Sequence, residues 1–168
     1  CVARLTHDKG VDLLIEAVSQ ISDVHLQIIG HGPEEEKLKD QISQLSLEER
    51  ITITKSHNDL GSFYHSLDLL VLPSREHDPF GLVAAEAMVL GTPVLVTDAC
   101  GIASYLTDGE DALIAKAGNT ESLLEKMEQW SNETKKQSIG EKGMQTARDK
   151  FSVEAMIDAY DQLLRSTD

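Results

Sequence analysis

Residues 68–97 read DLLVLPSREHDPFGLVAAEAMVLGTPVLVT, and this stretch decides the fold. Its ends, 68–72 (DLLVL) and 93–97 (PVLVT), are short and continuously apolar, as strands are in a parallel sheet covered on both faces. Between them Gly81 opens an almost wholly apolar run, GLVAAEAMVLG, whose one ionisable residue is Glu86. Residues 81–90 therefore read as a buried helix, and the whole stretch as a right-handed strand–helix–strand crossover. A carboxylate alone on an apolar helix is costly to bury unless something hydrogen-bonds it. Glu86 is thus either held by a core Arg or Ser or reserved for a ligand. The first amides of the helix lack intrahelical partners and suit an anion.

The same alternation extends in both directions. Residues 1–5 read as the end of a strand, 11–21 as a helix, 25–29 as a strand and 34–45 as a helix with acids in its first turn. Residues 51–54 form the next strand and 60–67 a short helix that Asp59 can cap. Beyond 97 come a short helix or turn at 102–106 and a last strand at 112–115. Helices at 120–130, 133–150 and 153–164 then form a tail expected to pack over one side. Trp130, Phe63, Tyr64 and Phe151 read as core. The fold class is α/β: a Rossmann-like, doubly wound parallel sheet with a helical tail, in one domain over 1–168.

Composition narrows the function classes. The 168 residues carry 15 basic and 29 acidic side chains, a net charge of −14, which disfavours nucleic acid or anionic lipid on the bulk surface. No apolar stretch reaches the roughly 18 residues of a membrane span. Cys1 and Cys100 make neither a disulfide framework nor a metal pattern, and the six histidines are scattered, so no metal site is expected. With no secretory signal ahead of the first strand, the expected location is cytoplasmic, including the cytoplasmic membrane face. The opening on Cys1 in strand-like sequence suggests a piece of a longer protein.

In doubly wound sheets ligands sit beyond the carboxyl ends of the strands, and the unusual residues cluster there. Arg4 and Lys9 bracket a tight loop; they suit a pyrophosphate clamp or are simply solvated. Gly30-His31-Gly32-Pro33 lets main chain approach a ligand or is a plain turn. Ser56 and His57 follow the third strand. Phe80, Gly81 and Leu82 open the buried helix, and Asp78 before them is a site carboxylate or that helix's cap. Adjacent ribose hydroxyls can donate two hydrogen bonds to Glu86. His57, His65 and His77 have no evident nucleophile beside them and read as surface or capping residues.

Taken together, several pieces resemble the C-terminal, donor-binding half of a GT-B fold glycosyltransferase of family 4, or glycosyl transferases group 1. They are Ala3-Arg4-Leu5 with Lys9-Gly10, Gly30-His31-Gly32-Pro33, Leu72-Pro73-Ser74-Arg75, Phe80-Gly81-Leu82-Val83 with Glu86-Ala87-Met88, Gly91-Thr92-Pro93-Val94, and the loop from Asp98 to Gly101. The resemblance implies an NDP-sugar donor as substrate, no cofactor or metal, retention at the anomeric carbon, and a separate N-terminal acceptor domain as partner. It implies that Arg4 and Lys9 hold the diphosphate, that amides near Phe80, Gly81 and Leu82 face sugar and phosphates, and that Glu86 takes the ribose. The main chain near Ser56 and His57 would lie by the base. The family's Glu-x7-Glu pair places Asp78 where the first Glu stands, and the acid of its Gly-Gly-x-x-Glu motif is missing after Gly101. An NDP-sugar epimerase of the same fold and a non-catalytic flavodoxin-like module are the alternatives. Arg4, where a receiver module has acids, counts against the module.

Overall fold

A computed structural model of the chain describes residues 1–134 and 136–165. Five parallel strands alternate with helices: α1 (Val11–Ser19), β1 (Leu26–Ile29), α2 (Glu35–Gln44), β2 (Ile51–Thr54), α3 (Leu60–His65), β3 (Leu70–Leu72), α4 (Leu82–Val89), β4 (Val94–Thr97) and β5 (Leu113–Ala115). Three helices follow: α5 (Thr120–Asn132), α6 (Lys136–Phe151) and α7 (Val153–Arg165). Short 3-10 turns occupy His7–Lys9 and Gly101–Tyr105.

The strand side chains sort by parity into two cores. Val71, Leu95 and Leu113 point to one face, where α1, α2 and α5 cover them. Leu70, Leu72, Val94 and Val96 point to the other, against α3, α4 and α6. Helices on both faces explain why the strands are apolar throughout and why a parallel arrangement is stable here. At about 25 cal/mol per Å² of apolar surface, these two layers are the dominant favourable contribution to folding.

Several expectations need correction. Pairing divides the strands into a β1–β2 piece and a β3–β4–β5 piece, each parallel, with β4 central in the latter. Residues 1–5 are extended but form no full strand. They meet β1 through a single Val2–Ile29 bridge, supported by Ala3 N–H to the Ile29 carbonyl and Ile29 N–H to the Cys1 carbonyl. The helical tail also packs only in part. α6 lies against α4, whereas α7 buries none of its side chains and exposes Val153, Met156, Ile157, Tyr160 and Leu164. The expected helix 133–150 starts at Lys136, because the main chain at Glu133 is extended and ends α5. The tail of the expected single domain, residues 166–168, lies outside the described residues.

One contact positions the site. Gly10 joins the first 3-10 turn to α1 in the left-handed region, with φ 64°. A β-carbon there would lie 2.2 Å from the Pro73 carbonyl oxygen. The Asp8 carbonyl beside it accepts the main-chain N–H groups of Arg75 and Glu76, and the Arg75 guanidinium pairs with Asp12 of α1. The loop after residues 1–5 is thereby locked to the loop after β3. Gly109 gives the control, since it has φ 76° with nothing within 4 Å of an added β-carbon. Gly109→Ala should lose roughly 1 kcal/mol to backbone strain alone. Gly10→Ala should lose about 3 kcal/mol and melt roughly 4–8 °C lower than Gly109→Ala in thermal unfolding. Equal melting temperatures would show that the Gly10–Pro73 contact does not constrain the fold.

Candidate functional site

The rim at the carboxyl ends of the strands gathers the first 3-10 turn, the 30–34 turn, the 55–59 loop, the 73–81 loop and the 98–101 loop. The 73–81 and 98–101 loops are stitched together. Asp78 N–H donates to the Ala99 carbonyl, Gly101 N–H to the Asp78 carbonyl, and Ile102 N–H to the Phe80 carbonyl. Thr97, fully buried, donates its hydroxyl to the Ser74 carbonyl at 2.7 Å. Phe80 turns its ring away from this seam, edge-on to Phe151 at 5.2 Å between centroids and to Tyr105 at 6.3 Å.

Lys9 and Asp78 meet here. The Lys9 ammonium donates to the Asp78 carboxylate at 2.7 Å, and each side chain is only 16% exposed. Ser74 Oγ and the Phe80 N–H lie farther from the same carboxylate, both at 3.4 Å. Burial pushes the Asp78 carboxyl up, but the hydrogen bond and charge of Lys9, with the Phe80 and Gly81 amides, outweigh it. The carboxyl ends below its ordinary value. Arg4 stands apart: its side chain is exposed and forms no hydrogen bond or ion pair among the described residues.

The role of cap does not fall to Asp78. Gly81 is the N-cap of α4, in the left-handed region at φ 90°, and no side chain caps the helix. The Asp78 carboxylate is held by Lys9 instead, one turn short of the helical amides. The helix therefore starts with N–H groups of Leu82 and Val83 open toward the rim.

Glu86 is not buried. Leu82, Glu86 and Val89 form an exposed stripe on α4, while Ala84, Ala85, Ala87 and Met88 are covered. An apolar run says nothing about which helical face is left open, and this one leaves the face carrying its carboxylate. Glu86 accepts a hydrogen bond from the Tyr64 hydroxyl at 3.0 Å, a contact between α3 and α4 that sequence spacing does not signal. Tyr64 is core, as expected, at 2% exposure.

The remaining candidates are placed as follows. Gly30 and Gly32 lie against main chain of the same protein: added β-carbons would sit 1.8 Å from the Ala3 carbonyl oxygen and 2.3 Å from that of Leu5. Ser56 and His57 are exposed on the loop after β2. His57 Nδ1 accepts the Asp59 N–H at 3.2 Å and its ring stands 5.3 Å from that of Phe63. Asp59 caps α3 as expected, accepting the Ser62 N–H. Arg75, read only as part of a motif, is the side chain that ties the β3 exit to α1. Among the described residues no group of three metal-ligating side chains converges, and no helix is long and apolar enough to cross a membrane. A cavity of about 470 Å³ lies at the opposite rim between β1 and β3, away from these groups.

The family described as glycosyl transferases group 1 matches residues 1–146. The chain is 32% identical over 166 residues to the lipopolysaccharide core biosynthesis glycosyltransferase LpsE of Rhizobium meliloti, covering 98% of this chain and 48% of the relative. Among solved structures, Anabaena HepE in complex with UDP superposes with a TM-score of 0.88 at 26% identity, over 98% of this chain and 48% of HepE. HepE with UDP-glucose superposes equally well. The C-terminal domain of the group 1 protein LpcC from Francisella tularensis shares the fold, with a TM-score of 0.80 at 23% identity, over 90% of this chain and 85% of that one. The chain spans about half the length of the first curated relatives it matches.

The Lys9–Asp78 pair makes its own prediction. The native Asp78 carboxyl lies below its unfolded value, so its contribution to stability is present above the unfolded pKa and is lost as pH falls through the folded one. In Lys9→Met the burial effect is left with less opposition. Carboxyl-resolved NMR titration should then find Asp78 titrating at higher pH than in the wild type. An unchanged Asp78 titration would show that Lys9 does not hold this carboxylate in solution.

Proposed function

The chain belongs to the glycosyl transferases group 1 family, and we propose that it is the C-terminal, donor-binding half of a GT-B enzyme that binds an NDP-sugar. The observation that carries the reading is the rim. An uncommitted guanidinium, Arg4, and a hydrogen-bonded ammonium, Lys9, stand on the loop locked to the 73–81 loop, which leads into the uncapped start of α4. Glu86 opens on the same helix. The complexes of HepE with UDP and UDP-glucose, a structure of the same fold at 26% identity, support the ligand class.

The chemistry follows from charge. When the sugar leaves its nucleotide, the anomeric carbon–oxygen bond breaks, the diphosphate keeps the electron pair, and the acceptor oxygen gains the carbon while its proton passes to the departing phosphate. The largest electrostatic change is the charge developing on the departing phosphate. Arg4 presents a bidentate fork to it. Lys9 has three N–H donors, of which Asp78 takes one. The amides of Leu82 and Val83 add the positive end of the helix dipole. On this reading charge stabilisation needs no metal, and Gly30 and Gly32 lie near the ligand only as the packed turn beside Leu5. Ser56 and His57 lie toward the base. Asp78 orients Lys9 and reaches for the sugar. Transfer proceeds with retention in a parent enzyme whose N-terminal half supplies the acceptor wall.

Calorimetric titration with UDP, GDP and ADP tests the reading. One of them should bind, and Arg4→Ala should weaken it about 10-fold or more with little change in melting temperature, because the exposed Arg4 side chain makes no hydrogen bond or ion pair among the described residues. Chelator should leave binding unchanged. Absence of binding by all three nucleotides sinks the donor-site reading, and a chelator-sensitive affinity sinks its metal-free form.

A further inference from the structure

We propose that Tyr64 is a positioning residue for nucleotide recognition, holding the Glu86 carboxylate in the orientation that accepts ribose hydroxyls; this rests on the donor-binding reading above. Glu86 is exposed on α4, and a glutamate there is free to take several rotamers. The Tyr64 hydroxyl removes that freedom by donating to Glu86 Oε2 at 3.0 Å. Tyr64 itself is fixed. Its side chain is 2% exposed and lies in the core between α3 and α4, and its main-chain carbonyl accepts the buried Thr92 hydroxyl at 2.9 Å. A rigid donor thus reaches from the core to the one carboxylate on the open face of α4.

The geometry leaves the carboxylate available. Each carboxylate oxygen accepts two hydrogen bonds, so Oε1 and the second lone pair of Oε2 remain for a ligand. Two adjacent hydroxyls are the donor pair that a carboxylate with one oxygen already oriented accepts best. The phenol stays a donor throughout the neutral range, because burial, and after it the Glu86 carboxylate, hold its ionisation above the ordinary tyrosine value. The rival role is purely structural, with Glu86 merely satisfying a buried hydroxyl. The two roles differ in what the ribose feels.

Tyr64→Phe keeps the ring and removes only the donor. Take UDP, GDP or ADP, whichever the wild-type chain binds most tightly, with its 2′-deoxy analogue, and measure both affinities by calorimetry. Tyr64→Phe should weaken the ribonucleotide about 5–10-fold and the deoxynucleotide less, so the ratio between them narrows. Glu86→Gln should narrow the same ratio, and the double variant should add little to the larger single effect. Narrowing by Glu86→Gln with the ratio intact in Tyr64→Phe overturns the inference and leaves the donor reading standing. A melting temperature lowered in Tyr64→Phe with the ratio intact assigns the hydroxyl to structure alone and likewise overturns it. An unchanged ratio in both variants removes Glu86 from the ribose and Tyr64 with it. No binding of any nucleotide overturns the donor reading and the inference together.

Discussion

The site depends on the close approach of two loops from different parts of the chain. The turn ending at Gly10 lies against the Pro73 carbonyl, and the Asp8 carbonyl takes both main-chain N–H groups that follow Ser74. This contact is made by main chain, which cannot relax as a flexible side chain does. It delivers Lys9 to Asp78, and the second seam, from Asp78 to Cys100, carries the same register into the loop after β4. Three loops that are distant in sequence are thereby joined by main-chain hydrogen bonds. A largely desolvated ion pair contributes little net stability by itself, since the loss of hydration offsets much of the attraction. Lys9–Asp78 is better understood as a result of the main-chain geometry than as its cause.

Charge sharpens the point. A chain with net charge −14 is a poor general host for an anion. Screening decides how much that matters: at physiological salt the Debye length is about 8 Å, so acids on remote helices count for little beside groups on the rim. On the donor-site reading, the local balance is what a phosphate would meet. Arg4 has no hydrogen-bond or ion-pair partner among the described residues, Lys9 gives one of its three N–H donors to Asp78, and no side chain caps the start of α4. Asp78 lowers the local positive potential but holds the ammonium in place, so that an incoming anion need not order a free lysine.

Much of the fold was legible because it rests on local patterns. Continuous apolar strands implied cover on both faces, and parity separates Leu70, Leu72, Val94 and Val96 from Val71, Leu95 and Leu113. Asp59, three residues ahead of Ser62, was legible as a cap for the same reason. The candidate site was legible mostly as loop positions, because all its candidates except Leu82 and Glu86 of α4 lie on loops that follow a strand or extended segment. Its internal geometry was not. That Glu86 faces outward depends on which side of α4 meets α6 and the sheet, and residues of α4 alone do not encode it. The Tyr64–Glu86 bond spans 22 residues and the Arg75–Asp12 pair 63, distances at which no spacing rule applies. Asp78 has the residue type and location of a cap, yet Lys9, from 69 positions away, takes its carboxylate.

The orientation of α4 is fixed by its neighbours. Its open stripe is useful only if the helix cannot rotate about its axis, and little in its own amphipathicity prevents that, since apolar residues stand on every side. The restraint comes from behind. Met88 and Ala87 share a core with Ala147 of α6, and α6 is tied down through Thr146, whose hydroxyl donates to Asp111 at 2.8 Å. At the front, Phe80 joins Tyr105 and Phe151 in an edge-to-face cluster that anchors the residue just before the helix. Tyr64 completes the restraint from α3. Close-packed interiors transmit displacement instead of absorbing it, so α6, far from the rim in sequence, helps set the direction in which Glu86 points. The rim stays open to solvent while each element that carries it is fixed from the core side.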